Sequence, residues 1–348
     1  MNSGPYTTGA SSTAVAGHVR VSVIIKALNE AAHIDAAVSS ALAALAGIGG
    51  EVILADSGST DRTVEIAARH PIIIVQLKNR AERRCGIGPQ LGYQLARGEF
   101  VYILDGDMEL DPRFLAAALE AMAADPKLGG VGGMVEEASD ASYQFRGRKR
   151  RGAEAVARDC DWLDMGGLYR GSALQGVGYL SNRNLHAYEE MELGLRLRSA
   201  GWTLRRIAVR SLLHHGRAEG NWPLLVRRWR SRYLDGAGEL LRAALGKRYF
   251  LRAAATQRHL FVGLIIWLGL LAGLVFWPRS HWPLATTVLL VVMLVAWRTL
   301  RTRNLADACF GQLVWQLTAL AMVRGFLARP RNPVDPVDYI VVKARQAD

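Results

Sequence analysis

The fold is decided by Phe100-Val101-Tyr102-Ile103-Leu104-Asp105-Gly106-Asp107, an apolar run that ends in two aspartates around a glycine. The run predicts a buried strand, and the two carboxylates then lie at its carboxyl end. Ligands of open α/β sheets bind beyond the carboxyl ends of the strands. Paired carboxylates there are hard oxygen ligands, suited to Mg²⁺ or Mn²⁺ beside a diphosphate. An Asp-x-Asp also arises by chance in turns. Residues 108–112, which follow, are expected to begin a helix.

Other apolar runs of the same form predict further strands at residues 21–26, 51–56 and 72–76. An alanine-rich run follows the first of them and predicts a helix that ends near Ala46, and residues 64–69 predict a helix after the second. Strands that alternate with helices indicate right-handed βαβ units and a mostly parallel sheet. The predicted fold class is therefore α/β, with a mostly parallel sheet flanked by helices.

Five pieces of the sequence, in order, resemble the family 2 glycosyltransferases, which have the GT-A nucleotide-sugar-binding fold. The resemblance runs from Val21 to about His215. The chain departs from the family at Lys26, where Pro is common, at residues 89–92, where an Arg-Asn-x-Gly element is usual, and at Glu190, where Asp is usual. The five pieces are Ile24-Ile25-Lys26-Ala27-Leu28-Asn29-Glu30, Ala55-Asp56-Ser57-Gly58-Ser59-Thr60-Asp61, Ala96-Arg97-Gly98-Glu99-Phe100 leading to the aspartate pair, Gly166-Gly167-Leu168-Tyr169-Arg170, and Tyr188-Glu189-Glu190-Met191-Glu192-Leu193 continuing to Trp202.

The resemblance implies transfer of a sugar from a nucleoside diphosphate sugar to an acceptor hydroxyl, with inversion at the anomeric carbon. It implies a divalent cation, Mg²⁺ or Mn²⁺, held by Asp107, with Asp105 nearer the ribose or bridging through water. Such a cation stabilises the leaving diphosphate. Asp56 is expected to accept a hydrogen bond from the base or the ribose, and Asn29 and Glu30 complete the residues assigned to the donor.

The acceptor hydroxyl must lose its proton as it attacks, and Glu190 is the expected general base. Adjacent helical residues point about 100° apart, so Glu189 and Glu190 do not face the cleft equally. Glu189 is therefore assigned to the acceptor side or to a structural role. The alternative is that these two and Glu192 only favour the positive end of a helix that runs to Ala200.

His214 is a further candidate metal ligand, because some GT-A enzymes use a histidine at this point. The alternative is a satisfied histidine at a domain edge. Arg170 of the fourth matching piece is assigned to the acceptor side. Arg228 and Trp229 are assigned there too, because Arg227-Arg228-Trp229-Arg230 resembles the end of the acceptor motif of processive polysaccharide synthases, although Leu225 stands where that motif has Gln. The alternative is a basic amphipathic helix over residues 222–245, lying on the membrane surface.

Two apolar runs near the C-terminus predict a transmembrane hairpin. Residues 260–277 are uncharged and long enough to nearly span a hydrocarbon core of about 30 Å. A second run covers residues 282–297. A third, residues 308–323, contains Gln312 and Gln316 and favours an interfacial or re-entrant helix, with a third full span as the alternative.

The charges indicate how the chain lies on the membrane. Basic residues cluster at both outer ends of the hairpin, against one arginine, Arg279, in its tip, so the catalytic domain is expected in the cytoplasm. Residues 1–17 lack a signal-peptide core and are expected to form a disordered leader. The net charge of +12 suits anionic lipid. Nucleic acid is the competing partner for the basic cluster at residues 146–151, but no nucleic-acid-binding module accompanies it.

The sequence thus predicts a multi-pass protein of the cell's inner, or cytoplasmic, membrane that adds a sugar to a lipid-linked or glycan acceptor. A polyprenyl-phosphate glycosyltransferase and a catalytically silent, nucleotide-sugar-binding partner of a synthase are the alternatives. Cys85, Cys160 and Cys309 are expected to be reduced thiols. No oligomeric state is indicated. The expected segments are a leader at 1–20, the catalytic domain at 21–215, a basic juxtamembrane segment at 216–258, the hairpin at 259–298, and a third membrane helix with the tail at 299–348.

Overall fold

A computed structural model describes residues 19–138, 157–164, 166–216 and 219–344. Nearly all of the expected leader and all of the basic cluster at 146–151 therefore lie outside the described residues. The centre of the molecule is a parallel sheet of four strands, which confirms the four predicted from the apolar runs. They are β1 (Val21–Ala27), β2 (Gly50–Asp56), β3 (Ile73–Leu77) and β4 (Phe100–Asp105).

These strands are buried on both faces, which is why their sequences are continuously apolar. Helices cover the two faces and supply the crossovers between the parallel strands. The first of them buries Ile34, Val38, Ala41 and Leu45, which recur at helical spacing along one side. The helices of this half are α1 (Ile34–Leu45), α2 (Thr63–Ala67), α3 (Ile87–Tyr93) and α4 (Phe114–Ala124).

The helix expected to begin within residues 108–112 is wrong. Met108–Leu110 form a short strand, β5, and α4 begins only at Phe114. Met108 and Leu110 are buried on either side of the less buried Glu109, the period-two pattern of a strand. β5 pairs with a strand far along the chain, so its conformation is set by a partner that the local sequence does not contain.

The second half of the sheet is mixed. Its elements are β6 (Leu128–Glu137), β7 (Arg158–Cys160), β8 (Gly167–Arg170), α5 (Gly171–Gly176), α6 (Glu189–Ser199) and β9 (Thr203–His214). With a tail strand, β10 (Tyr339–Lys343), at the far side of β3, the whole sheet has the order β10-β3-β2-β1-β4-β8-β6-β9-β5, and β7 is paired to β9.

The single amphipathic helix expected at residues 222–245 is also wrong, because the chain breaks there. Asn221–Arg230 form α7, Gly236–Ala244 form α8, and Tyr233–Asp235 make a 3-10 turn between them. Arg232 has a left-handed φ of 61°, which ends α7. The buried Asp235 then accepts from Arg232 Nε at 2.9 Å, which fixes the turn.

The helices after α9 (Phe250–Thr256) are long and apolar. Three of them have the length and composition to cross a membrane: α10 (Arg258–Phe276), α11 (Trp282–Thr302) and α12 (Leu305–Leu327). α10 and α11 form the predicted hairpin, and they approach closely because Gly269 lies against Thr287 and Gly273 against Leu284. Many of their large apolar side chains are exposed, as on lipid-facing helices.

The tail holds a strand that the sequence did not suggest. Tyr339–Lys343 form β10, which pairs antiparallel with β3 and covers that edge of the sheet. The backbone oxygens of Asp335 and Pro336 accept from Arg183 Nη1 at 2.9 and 2.8 Å. Residues 335–343 thus pack against the domain that contains β1–β4.

Candidate donor and metal site

The site lies at the carboxyl edge of the parallel strands. β1 and β4 are paired so that Lys26 and Asp105 are register partners. Lys26 Nζ lies 3.1 Å from Asp105 Oδ1 and 2.9 Å from Glu189 Oε1, so one ammonium bridges the aspartate motif and the start of α6. This is what the lysine does where the family commonly has proline. The sequence carries a signal for this pair, because Lys26 lies near the end of one predicted strand, β1, and Asp105 ends another, β4.

The bridge keeps its positive charge. Burial alone would lower the pKa of Lys26, but Asp105, Glu189 and Glu190 together raise the pKa well above its ordinary value. Burial raises the pKa of Asp105, and Lys26 counters that effect. The edge therefore carries a fixed cation among its carboxylates.

Asp107 faces a histidine and not the lysine bridge. Its Oδ2 lies 3.5 Å from His214 Nε2, and His214 Nδ1 lies 2.7 Å from Glu137 Oε2. Burial lowers the pKa of His214, but the bonds to Asp107 and Glu137 outweigh it and raise the pKa to about 9. Burial likewise raises the pKa of Asp107, and the bond from His214 brings it below its ordinary value. Glu137 was not predicted from the sequence, since it meets His214 only through the pairing of β6 with β9.

The side chains around Asp107 fit a divalent cation of the Mg²⁺ or Mn²⁺ type. Among the described residues, no group of three or more His, Cys, Asp and Glu side chains is placed to hold a metal ion by itself. Such ions do not need one, because they bind through one or two carboxylates and take waters and substrate phosphates for the rest. A histidine whose second nitrogen bonds a carboxylate, as His214 does with Glu137, is the usual arrangement of an imidazole that ligates a metal.

The three glutamates of α6 have different surroundings. Glu189 is buried against Lys26, and Glu192 is fully buried, with an oxygen 2.9 Å from Arg196 Nε. Glu190 is half-buried, and burial, with Glu189 and Asp105 nearby and against the effect of Lys26, raises its pKa to about 8. Glu189 and Glu192 thus have specific partners, Lys26 and Arg196. The alternative that these acids only favour the positive end of the helix does not account for such pairs.

The residues assigned to the donor brace the loops at this edge. Asp56 is fully buried, and its Oδ2 accepts from Gly58 N, Ser59 N and Gln76 Nε2, each at 2.8 Å. Its Oδ1 accepts from Ser59 Oγ. The carboxylate is thus engaged with its own loop and the neighbouring strand, and a direct contact with the nucleotide stays a prediction.

Asn29 and Glu30 tie the loop after β1 to the loop after β2. Asn29 Oδ1 accepts from Thr60 N, and Glu30 N donates to Thr63 Oγ1, both at 2.8 Å. Asn29 adopts a left-handed φ of 57°, which asparagine tolerates better than most residues. These contacts shape the donor loops.

Arg83 is a candidate that no sequence motif signalled. Its Nε donates to Ser57 O at 2.8 Å and its Nη2 donates to Gly58 O. The guanidinium therefore lies against the loop that Asp56 organises, at the edge where a diphosphate would need positive charge.

The candidates for the acceptor side lie in different places. Arg170 is a register partner of Phe100, at the amino end of β4, and its Nη2 donates to Met122 O at 2.8 Å. Arg170 therefore lies at the amino end of β4, whereas Asp105 lies at the carboxyl end of the same strand. Its assignment to the acceptor side is wrong for this reason. β8 pairs antiparallel with β4, so Gly167 lies opposite Ile103, near the site, and Arg170 lies opposite Phe100, away from it.

Arg228 and Trp229 lie on α7, at the junction with the membrane helices. The guanidinium of Arg228 lies 4.9 Å from the ring centroid of Tyr233, and Arg324 of α12 lies 4.7 Å from that of Trp229. Their role toward an acceptor stays a prediction. Cys85, Cys160 and Cys309 are free thiols.

Two family models match the chain. One, described as glycosyl transferase family 2, matches residues 22–175, and the other, glycosyl transferase family group 2, matches residues 100–300. The second alone covers more than half of the chain. A search of curated proteins found no match.

Solved structures share the fold. The mannosyltransferase PcManGT from Pyrobaculum calidifontis, in complex with GDP-Man and Mn²⁺, has a TM-score of 0.53 at 18% identity over 89% of this chain and 86% of that one. S. aureus TarS 1–349 in complex with UDP-GlcNAc has a TM-score of 0.50 at 16% identity over 89% and 93%. Of a longer S. aureus TarS structure the chain spans 44%, with a TM-score of 0.45. With its two matching family models and this fold, the chain belongs to glycosyl transferase family 2 and has a GT-A catalytic domain with apolar C-terminal helices.

Proposed function

We propose that the chain is a metal-dependent, inverting glycosyltransferase that moves a sugar from a nucleoside diphosphate sugar to a lipid-linked acceptor at the cytoplasmic face of a membrane. The observation that carries this proposal is the clustering at one sheet edge. Asp107 with His214 lies there beside Asp105, and Lys26 joins Asp105 to Glu189, the neighbour of Glu190. A metal ligand set and a half-buried acid beside it are the two groups that the reaction requires.

The bound cation would stabilise the negative charge that develops on the leaving diphosphate. Asp107 and His214 would hold it, with Asp105 on the ribose side. Lys26 adds a positive charge that is already in place, buried and fixed by two carboxylates. Preorganised charge of this kind needs no reorganisation during the reaction, so it favours the transition state.

Glu190 would take the proton from the acceptor hydroxyl. A general base works best when its pKa lies near the working pH, and the pKa of Glu190 is raised to about 8. Glu189 is less suited, because its carboxylate is already engaged with Lys26. The glutamate in place of the family's aspartate keeps the acid and lengthens its reach by one methylene.

The donor is a nucleoside diphosphate sugar whose base and sugar are left open. The two related structures hold GDP-Man with Mn²⁺ in one case and UDP-GlcNAc in the other. They support the donor class. A direct test is to measure UDP and GDP binding with and without Mn²⁺. Mn²⁺ should strengthen binding to the wild type and to an Asp159→Asn surface control, and should not strengthen binding to Asp107→Asn. An equal effect of Mn²⁺ on all three proteins would refute the metal site.

The acceptor is proposed to be lipid-linked because the catalytic domain continues, through α7–α9, into apolar helices. The basic cluster Arg146, Arg148, Lys149, Arg150 and Arg151 is proposed to contact lipid headgroups or the acceptor's phosphate. Replacing all five with Ala should lower transfer to lipid acceptors while donor binding stays intact. Replacing the exposed Arg62 and Arg69, which removes two positive charges outside the cluster, is the control for a general loss of surface charge. Unchanged transfer in the five-fold variant would contradict this role, and a sugar monophosphate lipid as product would identify a polyprenyl phosphate as the acceptor.

A further inference from the structure

Both ends of the apolar block are fixed to the same domain. The chain enters the block at Arg258 and leaves it after Leu327. It then returns to the catalytic domain, where Arg331 Nη1 lies 2.8 Å from Glu82 Oε1 and β10 pairs with β3 at the edge of the sheet. Lys343 Nζ also donates to Ala68 O at 2.8 Å. A chain that leaves a domain and returns to it crosses a membrane an even number of times.

Three helices have the length and composition to cross, so they do not all do so. The contacts of α12 identify it as the one that stays on the catalytic side. Toward its start, Phe310 packs on Trp222 of α7 with ring centroids 5.0 Å apart. Toward its end, Arg324 Nε donates to Asp235 Oδ1 at 3.0 Å. A helix of 23 residues is about 34 Å long, so crossing the bilayer would carry one of these ends away from the catalytic side.

α12 also packs on the base of the hairpin. His259 of α10 lies 5.2 Å from the ring of Trp315, and Trp267 Nε1 donates to Gln316 O at 3.3 Å. Between these two contacts, Gly263 of α10 has no side chain, so Ala319 of α12 can approach it closely. These contacts involve the first half of α10, whereas the contacts of α10 with α11 extend to Gly273, near its far end.

The polar residues of α12 agree with this position. Gln312 is buried, and the amide groups of both Gln312 and Gln316 have no hydrogen-bond partner among the described residues. They lie in the middle of the helix, which in a spanning orientation is the bilayer core. Amides without partners are costly in hydrocarbon, and a spanning α12 would place both of them in the bilayer core, away from any water.

The outer face of α12 is an apolar stripe at helical spacing. Leu313, Leu320, Val323 and Leu327 are exposed along it, whereas Ala308, Ala319 and Met322 face inward and are buried. We infer that the chain crosses the membrane twice, through α10 and α11, and that α12 lies in the plane of the membrane with this stripe in the boundary between headgroups and acyl chains. The partner of this surface is the bilayer itself. This topology holds whether or not the site transfers a sugar.

The experiment is cysteine labelling of the full chain in membranes, with the native cysteines replaced. Single cysteines are placed at Glu120→Cys on α4, Ser280→Cys in the hairpin tip and Val334→Cys in the tail. A membrane-impermeant maleimide is added to right-side-out and to inverted vesicles. Glu120→Cys and Val334→Cys should be labelled from one side, and Ser280→Cys from the other. Labelling of Val334→Cys from the same side as Ser280→Cys would mean three crossings and would overturn the inference.

Depth is measured on the same background with a fluorophore on cysteine and lipids that carry quenchers near the headgroup or deep in the acyl chains. Probes at Leu313, Leu320 and Leu327 should all be quenched best by the shallow lipid. Probes at Leu268 of α10 and Val292 of α11, both exposed and mid-helix, are the deep controls. Deep quenching at Leu313 and Leu320 with shallow quenching at Leu327 would overturn the in-plane position.

If a variant fails to fold, oxidative cross-linking of Gln76→Cys to Ile340→Cys, register partners in β3 and β10, tests independently whether the tail lies on the same side as the catalytic domain. No cross-link in folded, membrane-bound protein would contradict it.

Discussion

The carboxyl ends of the parallel strands and the base of the membrane helices are built differently. At the carboxyl ends of the strands, the ammonium of Lys26 lies within 3.1 Å of both the Asp105 and the Glu189 carboxylates. At the membrane base, small residues and apolar side chains pack over the length of α12, and Asp235 with Arg324 is the ion pair that anchors it. Removing a single charged group should therefore abolish activity at the carboxyl ends of the strands. At the membrane base, the position of α12 should instead depend on the total area of its packing contacts.

The largest effect is expected at the metal ligand. Asp107→Ala should lower metal-dependent turnover by about 10⁴-fold, because metal stabilisation of the leaving group is worth several kcal/mol and each 1.4 kcal/mol is a factor of ten. Steady-state release of nucleoside diphosphate in Mn²⁺ measures it. Glu109→Gln, two residues away and paired with His215, is the matched control and should stay near wild type. Full activity of Asp107→Ala in excess chelator would refute the metal role.

The next effect separates the two neighbouring glutamates. Glu190→Gln should bind the donor normally and lose transfer by about 10²- to 10⁴-fold, the usual worth of a general base. Glu189→Gln should retain more transfer, because it loses a partner of Lys26 and not the proton acceptor. Donor affinity and single-turnover transfer are the measurements. If Glu189→Gln were the dead variant and Glu190→Gln the active one, the assignment of the base would be reversed.

A smaller effect follows from the raised pKa of Glu190. The folded-state pKa of about 8 lies above the unfolded value, so its contribution to stability is present at acidic pH and is lost as the pH rises toward 8. In chelator, the melting temperature of the wild type should therefore fall between pH 5 and pH 8 more than that of Glu190→Gln. Thermal unfolding in detergent measures both slopes. Equal slopes would show that this carboxyl is not held in a buried, charge-crowded site.

The smallest effect on activity is expected at the membrane base. Gly263→Ala would place a methyl carbon 2.8 Å from Ala319 Cβ, so α12 must shift, at a cost of about 1–3 kcal/mol in stability. Leu320→Ala, on the exposed stripe, should change stability by about 0.5 kcal/mol or less. Both should keep transfer within a few fold of wild type. A loss of transfer from Leu320→Ala as large as that from Glu190→Gln would break the contrast between the two regions.

The contrast also explains what the sequence could and could not predict. The four parallel strands and the position of Asp105 and Asp107 follow from apolar runs that end in polar residues, a purely local signal. The bridge from Lys26 to Glu189 joins residues 163 positions apart, so no local sequence motif predicts it. β5 was misassigned for the same reason, since a three-residue strand has a form only beside β9.

The third apolar helix is the clearest case at the membrane. Hydropathy and length do not separate a spanning α12 from one in the plane, which is why residues 308–323 allowed both interpretations. The contacts from which we infer an in-plane α12 come from Trp222, Asp235 and the tail strand, each distant in sequence. Arg170 failed as a site residue because strand pairing, not motif order, sets the edge to which a residue belongs.

The most direct test of the central claim is a donor panel. Detergent-purified protein is given UDP-, GDP- and dTDP-sugars with Mn²⁺ or Mg²⁺ and a membrane lipid extract, and both nucleoside diphosphate release and radiolabelled sugar in the lipid phase are followed. The proposed function predicts label in the lipid phase with one donor, and none with Asp107→Ala or Glu190→Gln. No release from any donor, despite measurable nucleotide binding, would contradict it and would indicate a silent, nucleotide-sugar-binding partner of another enzyme.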